Sequence, residues 1–181
     1  DGSQVLFFSE KDLFSVDLYL ADVATGRVIR RLTKTAVDPH YQSLQFISSA
    51  GAWSPDGRRV ALAAVTEGRP VLSLIDPATG YVVREIPVRG VHEVVNPAWS
   101  PDGERLAFGA LVDGVTDLYV ATLATGEVRR LTDDAYADLE PAWSPDGRRL
   151  AFVTDRFSTD LERLAFGSYG LALMDAATGA I

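Results

Sequence analysis

Cysteine is absent from this chain of 181 residues, and methionine and histidine are nearly so, with one Met and two His. Without cysteine the chain has no disulfide and no thiolate metal site, and its composition leaves the redox compartment open. The two histidines, His40 and His92, stand 52 positions apart, which is a poor basis for a zinc site without added carboxylates. We therefore predict neither a metal nor another cofactor.

Positive charge is also scarce, because 25 Asp and Glu outnumber 17 Lys and Arg and give a net charge of −8. A nucleic-acid-binding protein needs a basic face to neutralise phosphate, so this charge balance argues against that function, and we predict no nucleic-acid partner. No run of 18 apolar residues occurs, so the sequence predicts no membrane-spanning helix. The chain begins at Asp1-Gly2 without an apolar leader, and we expect any export signal to lie outside this sequence.

One five-residue stretch, Trp-Ser-Pro-Asp-Gly, occurs three times, beginning at Trp53, Trp99 and Trp143. The copies are 46 and 44 residues apart, and each is followed by a charged residue or two and a short apolar run. An identity that recurs at a nearly constant period is typical of a repeat protein. Because the tryptophans hold the same place in each repeat, we expect them to fill seams between repeats; stacking on a ligand is the less favoured alternative.

A second stretch, Ala-Thr-Gly, stands at 24–26, 78–80, 124–126 and 177–179, each following a short apolar run. Short β-rich runs separated by few residues, with Gly near the turn, predict hairpins. In the third repeat the strands are predicted at 97–100, 106–110, 117–121 and 127–132.

Four-stranded antiparallel units of about 40 to 45 residues are the signature of propeller blades. An ordinary β-sandwich would not repeat its turns so regularly. The sequence therefore predicts an all-β fold, a β-propeller with about four blades, approximately at 1–35, 52–88, 97–132 and 141–181.

The order Pro-x-Trp-Ser-Pro-Asp-Gly, Leu-Ala-Phe, Asp-Leu-Tyr, Ala-Thr-Gly and Arg-Arg-Leu-Thr resembles the TolB-type propeller repeat. It is also similar to the repeat in the propeller domains of prolyl-oligopeptidase-like and dipeptidyl-peptidase-like enzymes. The resemblance covers nearly the whole chain and is specific for the fold, but the repeated residues are turns and core and say little about function. It implies a bacterial, periplasmic or otherwise extracytoplasmic setting, as an accessory subunit on a membrane-bound complex.

The first and last repeats are incomplete. Asp1-Gly2 aligns with the end of the Trp-Ser-Pro-Asp-Gly turn, and only Ala180 and Ile181 follow the last Ala-Thr-Gly. Propellers with this repeat are usually closed rings of six or more blades, so we expect either a segment of a larger propeller or one completed by a partner. Open strand edges and apolar blade faces favour association, and we expect further residues, a second copy or another protein to cover them.

Two long connections lie on the side of the blades opposite the tight turns. Between Thr33 and Trp53 there are 19 residues, and residues 155–170 enlarge a loop of the last blade. Long loops on a rigid scaffold often carry recognition.

In the second loop Arg156, Phe157 and Leu161 are candidate binding residues, and a helical turn capped at Ser158 or Thr159 is predicted within 158–164. Partner contact and folding of this loop over its own blade are equally compatible with the sequence.

The other candidate binding residues are polar and lie in the loops that enter the first strand of each blade. They are His40, Tyr41, His92, Glu93, Asp138 and Glu140. No Lys or Arg occurs from Leu131 to Gly147, which predicts an acidic mouth that favours cationic ligands or basic peptides. Ordinary solvated loops on an acidic protein are the plainer interpretation.

Motifs for catalysis are absent. Gly167-Ser168-Tyr169-Gly170 has the wrong spacing for a nucleophile elbow, and His92-Glu93 is not followed by the second His of a helical zinc motif. Carboxylates are present in the loops, but nothing marks a pair of the kind that glycoside hydrolysis needs. We predict no catalytic residue in this chain.

Three functions remain. The first is a non-catalytic propeller for protein interaction or scaffolding, with a protein partner and no nucleic acid. The second is a propeller that gates substrate access in a serine peptidase whose hydrolase domain is outside this chain. The third, a sugar- or lyase-type propeller enzyme, has the least support.

Overall fold

The computed structural model describes residues 2–11, 15–45, 49 and 51–181, and every regular element in this part of the chain is a β-strand. No helix with the length and apolar character needed to cross a membrane occurs in these ranges. The strands are β1 (Gln4–Ser9), β2 (Asp17–Asp22), β3 (Val28–Arg31), β4 (Ser43–Leu44), β5 (Ala52–Trp53), β6 (Val60–Thr66), β7 (Arg69–Ile75), β8 (Val82–Pro87), β9 (Glu93–Trp99), β10 (Arg105–Val112), β11 (Val115–Thr122), β12 (Val128–Arg130), β13 (Asp138–Trp143), β14 (Arg149–Thr154) and β15 (Gly170–Asp175).

These strands form four separate antiparallel sheets, one for each blade. Blade 1 comprises β1–β3, blade 2 comprises β4–β8, blade 3 comprises β9–β12 and blade 4 comprises β13–β15. Strands that follow one another in the chain lie side by side in each sheet, apart from the split first strand of blade 2. This confirms the predicted all-β propeller, with three strands in the first and last blades. The first strands of neighbouring blades contact one another, β5 with β9 and β9 with β13.

The Trp-Ser-Pro-Asp-Gly stretch forms the turn between the first and second strands of blades 2 to 4. In blade 3 the Ser100 hydroxyl donates to Asp102 Oδ1 at 2.5 Å and accepts the Arg105 amide at 2.9 Å. Asp102 also accepts the Glu104 amide at 2.9 Å, and Gly103 has a φ of 70°, which a residue without Cβ adopts without strain. The Ser100 hydroxyl, followed by the Glu104 amide, holds the pKa of Asp102 below its ordinary value. The same bonds recur in blades 2 and 4.

Each blade has two apolar faces, which we call the forward face, toward the next blade in the chain, and the back face, toward the preceding one. The forward face of blade 2 carries Ala61, Leu72 and Leu74, which belong to one buried cluster with Trp99 and Phe108 on the back face of blade 3. A sheet covered on both sides needs strands that are apolar throughout, which explains the continuous apolar runs in the sequence.

The first strand of blade 2 is split into β4 and β5, which pair with different parts of β6. Leu44 lies opposite Ala64 as Val94 lies opposite Ala110 in blade 3. Part of the connection predicted to run from 34 to 52 therefore belongs to the sheet. Residues 46–48 and 50, which fall between β4 and β5, lie outside the described residues.

Candidate functional site

The tryptophans of blades 3 and 4 bind the preceding blade in the same way. Trp99 Nε1 donates to the Ala52 carbonyl at 3.0 Å, and Trp143 Nε1 donates to the Ala98 carbonyl at 3.1 Å. Each acceptor is the residue just before the tryptophan of the preceding blade. The indole of Trp53 has no such acceptor within the described ranges. The prediction that the tryptophans fill the seams is confirmed, and the indole N–H fixes how the blades are aligned.

An arginine of the preceding blade covers each of these two indoles. The Arg59 guanidinium lies 5.7 Å from the ring centre of Trp99, and that of Arg105 lies 4.5 Å from Trp143. Both arginines follow the Asp-Gly of the turn at the same distance. A cation above an indole face is attracted by the ring quadrupole. Arg105 also donates to the Gly147 carbonyl at 3.2 Å, so it binds blade 4 at two points.

Arginines on the outermost strands make the third repeated contact. Arg84 on β8 donates to the Leu123 carbonyl of blade 3, and Arg129 on β12 donates to the Ala176 carbonyl of blade 4 at 2.8 Å. The junctions between blades 2 and 3 and between blades 3 and 4 therefore each consist of an apolar seam, an indole hydrogen bond, an arginine above the indole and a second arginine at the outer edge.

The forward face of blade 4 carries the same apolar positions but is uncovered in the described chain. Leu171 and Leu173 are 72% and 54% exposed, whereas Leu118 and Val120, which have the same register in blade 3, are 0% and 6% exposed. The difference is therefore one of covering and not of residue type.

The polar groups of a junction are also present on this face. Ala142 corresponds to Ala98, and Arg149 corresponds to Arg105; both Ala142 and Arg149 are exposed. We call Ala142, Arg149, Leu171 and Leu173 the docking face.

Residues 40–160 match the family model of the TolB beta propeller domain. The chain belongs to this family. A search of curated protein sequences finds no match.

Solved structures similar to this TolB-type propeller include TolB from Acinetobacter baumannii, at 24% identity and a TM-score of 0.70 over 98% of this chain and 40% of that protein. A TolB-like protein from Agrobacterium tumefaciens is 22% identical, with a TM-score of 0.76 over 100% of this chain and 60% of that one. Puromycin hydrolase is 24% identical, with a TM-score of 0.69 over 98% of this chain and 28% of the enzyme. The chain thus spans between 28% and 60% of these proteins, and the likeness establishes the fold alone.

Two blades of the TolB-type propeller share a set of side chains that we call the polar plug. It consists of Asp17, Arg31 and Thr33 in blade 1, and of Asp117, Arg130 and Thr132 in blade 3.

In blade 3 the buried Asp117 carboxylate lies 2.5 Å from Arg130 Nη2 and accepts the Thr132 hydroxyl at 3.2 Å. The Thr132 hydroxyl in turn accepts the Leu118 amide at 2.9 Å. The plug joins the third strand of the blade to the end of the fourth.

The two plugs differ in how many donors reach the carboxylate. Burial raises the pKa of Asp117, and the hydrogen bond and charge of Arg130 offset only part of that effect. Burial acts in the same direction on Asp17, but hydrogen bonds from the Thr35 amide, the Thr33 hydroxyl and Arg31 outweigh it, and the pKa of Asp17 is lowered. The additional donors in blade 1 therefore stabilise the ionised carboxylate.

Asp138 is buried at the start of β13 and is paired rather than free. Arg156 Nη2 lies 2.9 Å and 2.7 Å from its two carboxylate oxygens, and Arg156 Nη1 lies 3.2 Å from Asp134. Asp133 pairs with Arg130 at 2.8 Å. Two arginines from outside the acidic stretch, Arg130 and Arg156, thus pair with three of the carboxylates that were predicted to form an acidic mouth.

His40 and Tyr41 are a second pair of predicted site residues that the structure brings into contact, after Asp138 and Arg156. Their rings meet edge to face at 4.8 Å, and His40 Nε2 lies 2.8 Å from Glu85 Oε1. Tyr41 is buried in the seam between blades 1 and 2, where its hydroxyl lies 2.6 Å from Ser73 Oγ. Burial raises the pKa of Tyr41 to about 12. Tyr41 is therefore a core residue, and His40 is the one that faces solvent.

The other polar candidates are dispersed. His92 is exposed, its Nε2 lies 3.9 Å from the exposed carboxylate of Asp113, and Glu93 is half-buried at the start of β9. Glu140 is exposed, with a φ of 52° at a β-bulge, a conformation that costs a non-glycine residue about 1 kcal/mol. No hydrogen bond or ion pair joins His40, His92 and Glu140 in the described part of the chain, and no trio of His, Asp or Glu there is placed to hold a metal.

The enlarged loop of blade 4 forms a small hairpin, and the prediction of a helical turn was wrong. Asp160 and Ala165 exchange both backbone hydrogen bonds, at 2.9 Å and 3.0 Å. The Thr159 hydroxyl donates to Asp155 Oδ2 at 2.6 Å and accepts the Gly167 amide instead of capping a helix. Short polar side chains that bond nearby backbone groups compete with helix formation in this way.

The apolar side chains of this loop face solvent. Phe157 and Leu161, which were predicted as binding residues, are exposed, and so are Leu164 and Phe166. The loop therefore does not bury its apolar side on its own blade.

Uncovered apolar faces were predicted for the terminal blades, but the residues of the docking face were not named, although the signal for them was present. Aligning the apolar run before each Ala-Thr-Gly places Leu171 and Leu173 at the positions of Leu118 and Val120. Such an alignment identifies which face these residues occupy. It does not reveal whether a neighbouring sheet covers them.

Proposed function

We propose that this chain is a non-catalytic propeller module that binds protein, and that its docking face receives another blade. The observation that carries this proposal is the exposure of Leu171 and Leu173 at positions that are sealed in the other three blades. Apolar side chains that stay in water at a periodic, sheet-borne position mark an interaction surface.

The chemistry of the docking face specifies its occupant. At the two internal junctions with an indole hydrogen bond, the acceptor carbonyl is that of Ala52 or Ala98, and the covering cation is Arg59 or Arg105. Ala142 and Arg149 offer the same acceptor and the same cation. The complementary surface is the back face of a blade that ends its first strand with tryptophan.

The occupant that fits this chemistry is a blade whose first strand ends with tryptophan, either elsewhere in the full-length protein or in a partner protein. Its indole N–H would donate to the Ala142 carbonyl, and its ring would lie beneath Arg149.

Photo-crosslinking tests this assignment in the full-length protein in its native cells. Benzoylphenylalanine at Leu173 is expected to crosslink to a peptide within a blade that carries a Trp-Ser-Pro-Asp-Gly-like turn, located by mass spectrometry. The control position is Val37, an exposed residue on a distant loop. A product that maps to a sequence without such a repeat, or equal yields at both positions, would overturn the proposal; capture of an unidentified protein would not support it.

By family resemblance we propose an extracytoplasmic setting, as an accessory subunit of a membrane-associated bacterial complex. Fractionation of native cells tests the setting, with the chain expected in the periplasmic or extracellular fraction. Recovery in the cytoplasm would contradict it.

A second candidate is a propeller that selects substrates for a serine hydrolase. The similarity of the fold to puromycin hydrolase and to the tricorn protease favours it, although this chain covers 28% and 17% of those enzymes. A fluorophosphonate probe applied to the full-length protein distinguishes the candidates, since covalent labelling of a serine outside this chain is expected only for the second.

A further inference from the structure

Blade 2 contains a cavity of about 710 Å³, bordered by the β6–β7 turn and the connection that follows β8. Its apolar wall is formed by residues that include Val71, Pro87 and Val88. Arg69 and Arg89 also line it, together with His40, Glu67 and Glu85. The cavity is separate from the docking face, which belongs to blade 4.

The cavity lies where blades 1 and 3 have their polar plug. By strand register Val71 stands at the position of Asp117, Glu85 at that of Arg130, and Pro87 at that of Thr132. All three replacements line the cavity. Blade 2 therefore lacks the aspartate, the arginine and the hydroxyl that fill this region in its neighbours.

Two arginines supply the donors of the cavity. Arg69 and Arg89 are exposed, and neither has an ion pair in the described ranges, whereas Arg31, Arg130 and Arg156 are all paired.

Two carboxylates, Glu67 and Glu85, line the cavity with the two guanidinium groups, so the formal charges of the lining balance in a protein with a net charge of −8. The Glu85 carboxylate lies 2.8 Å from His40 Nε2 rather than on either arginine. Arg69 and Arg89 therefore keep donors that an added carboxylate can use.

We propose that this cavity binds a carboxylate carried on an apolar side chain or a short apolar peptide. Guanidinium groups bind carboxylates through short charge-assisted hydrogen bonds, and the valine and proline wall accepts the apolar part. The carboxylate comes either from the C-terminus of a peptide or from an Asp or Glu side chain. The site does not depend on the docking face, so either proposal can fail without the other.

Isothermal titration calorimetry of the chain with three peptides tests the site. The probes are acetyl-Leu-Leu with a free carboxylate, its C-terminal amide, and acetyl-Leu-Glu with an amidated C-terminus. Both carboxylate peptides are expected to bind at least 10-fold more tightly than the neutral amide. Preference for the first identifies a C-terminus as the natural source, and preference for the third identifies an acidic side chain. Equal affinity for all three, or no binding of any, would overturn the proposal.

Two kinds of variant locate the binding site. R69A/R89A removes the cations and is expected to weaken carboxylate binding about 10-fold or more, which corresponds to about 1.4 kcal/mol. R58A, which removes an exposed arginine of the turn on the opposite side of blade 2, is the matched control and is expected to leave binding unchanged. P87Y fills the cavity from an exposed position and is expected to abolish binding. Because all these sites are exposed, unchanged thermal melting should accompany each variant; retained binding in R69A/R89A would refute the assignment.

Discussion

Blades 3 and 4 present nearly the same forward face under opposite conditions. In blade 3 the Leu118 and Val120 side chains are sealed by blade 4, while in blade 4 the corresponding Leu171 and Leu173 side chains remain in water. The arginine and the carbonyl of the junction are also present in both. A repeat sequence therefore encodes the surface that a blade offers, and the neighbour determines whether that surface becomes core.

The largest expected difference between the two faces is in the effect of truncating a leucine. Leu118→Ala removes a fully buried side chain and is expected to lower the free energy of unfolding by about 2–5 kcal/mol. Leu171→Ala, at the equivalent but exposed position, is expected to change it by less than about 0.5 kcal/mol. Urea unfolding of the isolated chain measures both. A large loss at Leu171 would mean that association covers the face in solution, and dilution would then diminish the loss.

The indole hydrogen bonds provide a smaller contrast. Trp143→Phe keeps most of the apolar area but leaves the Ala98 carbonyl without its donor, whereas Trp53→Phe removes no such bond. Because an unmade hydrogen bond of this kind costs about 1 kcal/mol, Trp143→Phe is expected to destabilise the chain by about that much more than Trp53→Phe. Trp99→Phe should behave like Trp143→Phe. Equal losses at all three positions would show that the bond does not align the blades.

The smallest expected effect is the pH dependence of stability. It should be the same for the turn of blade 3, beside a covered junction, and for the turn of blade 4, beside the docking face. Hydrogen bonds from Ser100 and Ser144 lower the pKa values of Asp102 and Asp146. An aspartate whose pKa is lower in the folded state than in the unfolded state stabilises the fold. This contribution is complete above the unfolded-state pKa of about 3.9 and is lost as the pH falls through the folded-state pKa.

Asp102→Asn and Asp146→Asn should each reduce the loss of stability between pH 5 and pH 3 by a similar amount, measured by chemical unfolding at each pH. An effect at Asp102 alone would show that the covered junction, and not the serine of the same turn, causes the pH dependence.

Local chemistry made the turns and strands of this protein predictable. Ser100, Asp102 and Gly103 form their turn from bonds within six residues, so the pattern alone reports the structure. The predicted first strand at 97–100 was too short, since β9 begins at Glu93. Glu93, Asn96 and Pro97 interrupt the apolar pattern of β9. The sequence therefore did not indicate the full pairing of β9 with β10, which includes a bulge at Asn96.

Features that depend on distant residues were harder to foresee. The acidic stretch appeared unpaired because its partners, Arg130 and Arg156, lie outside it. Tyr41 appeared to be a loop residue because its partner, Ser73, is 32 positions away in another strand. The cavity of blade 2 becomes visible only when Val71, Glu85 and Pro87 are aligned with the plug residues of the other blades.

The indole-to-carbonyl bond involves only two adjacent blades and the same two positions each time. Gain or loss of one whole repeat would leave every remaining bond of this type intact, because none spans more than one junction. Duplication of a repeat within the gene would therefore not disrupt these bonds. The number of blades in a closed ring would then depend on the angle between successive sheets.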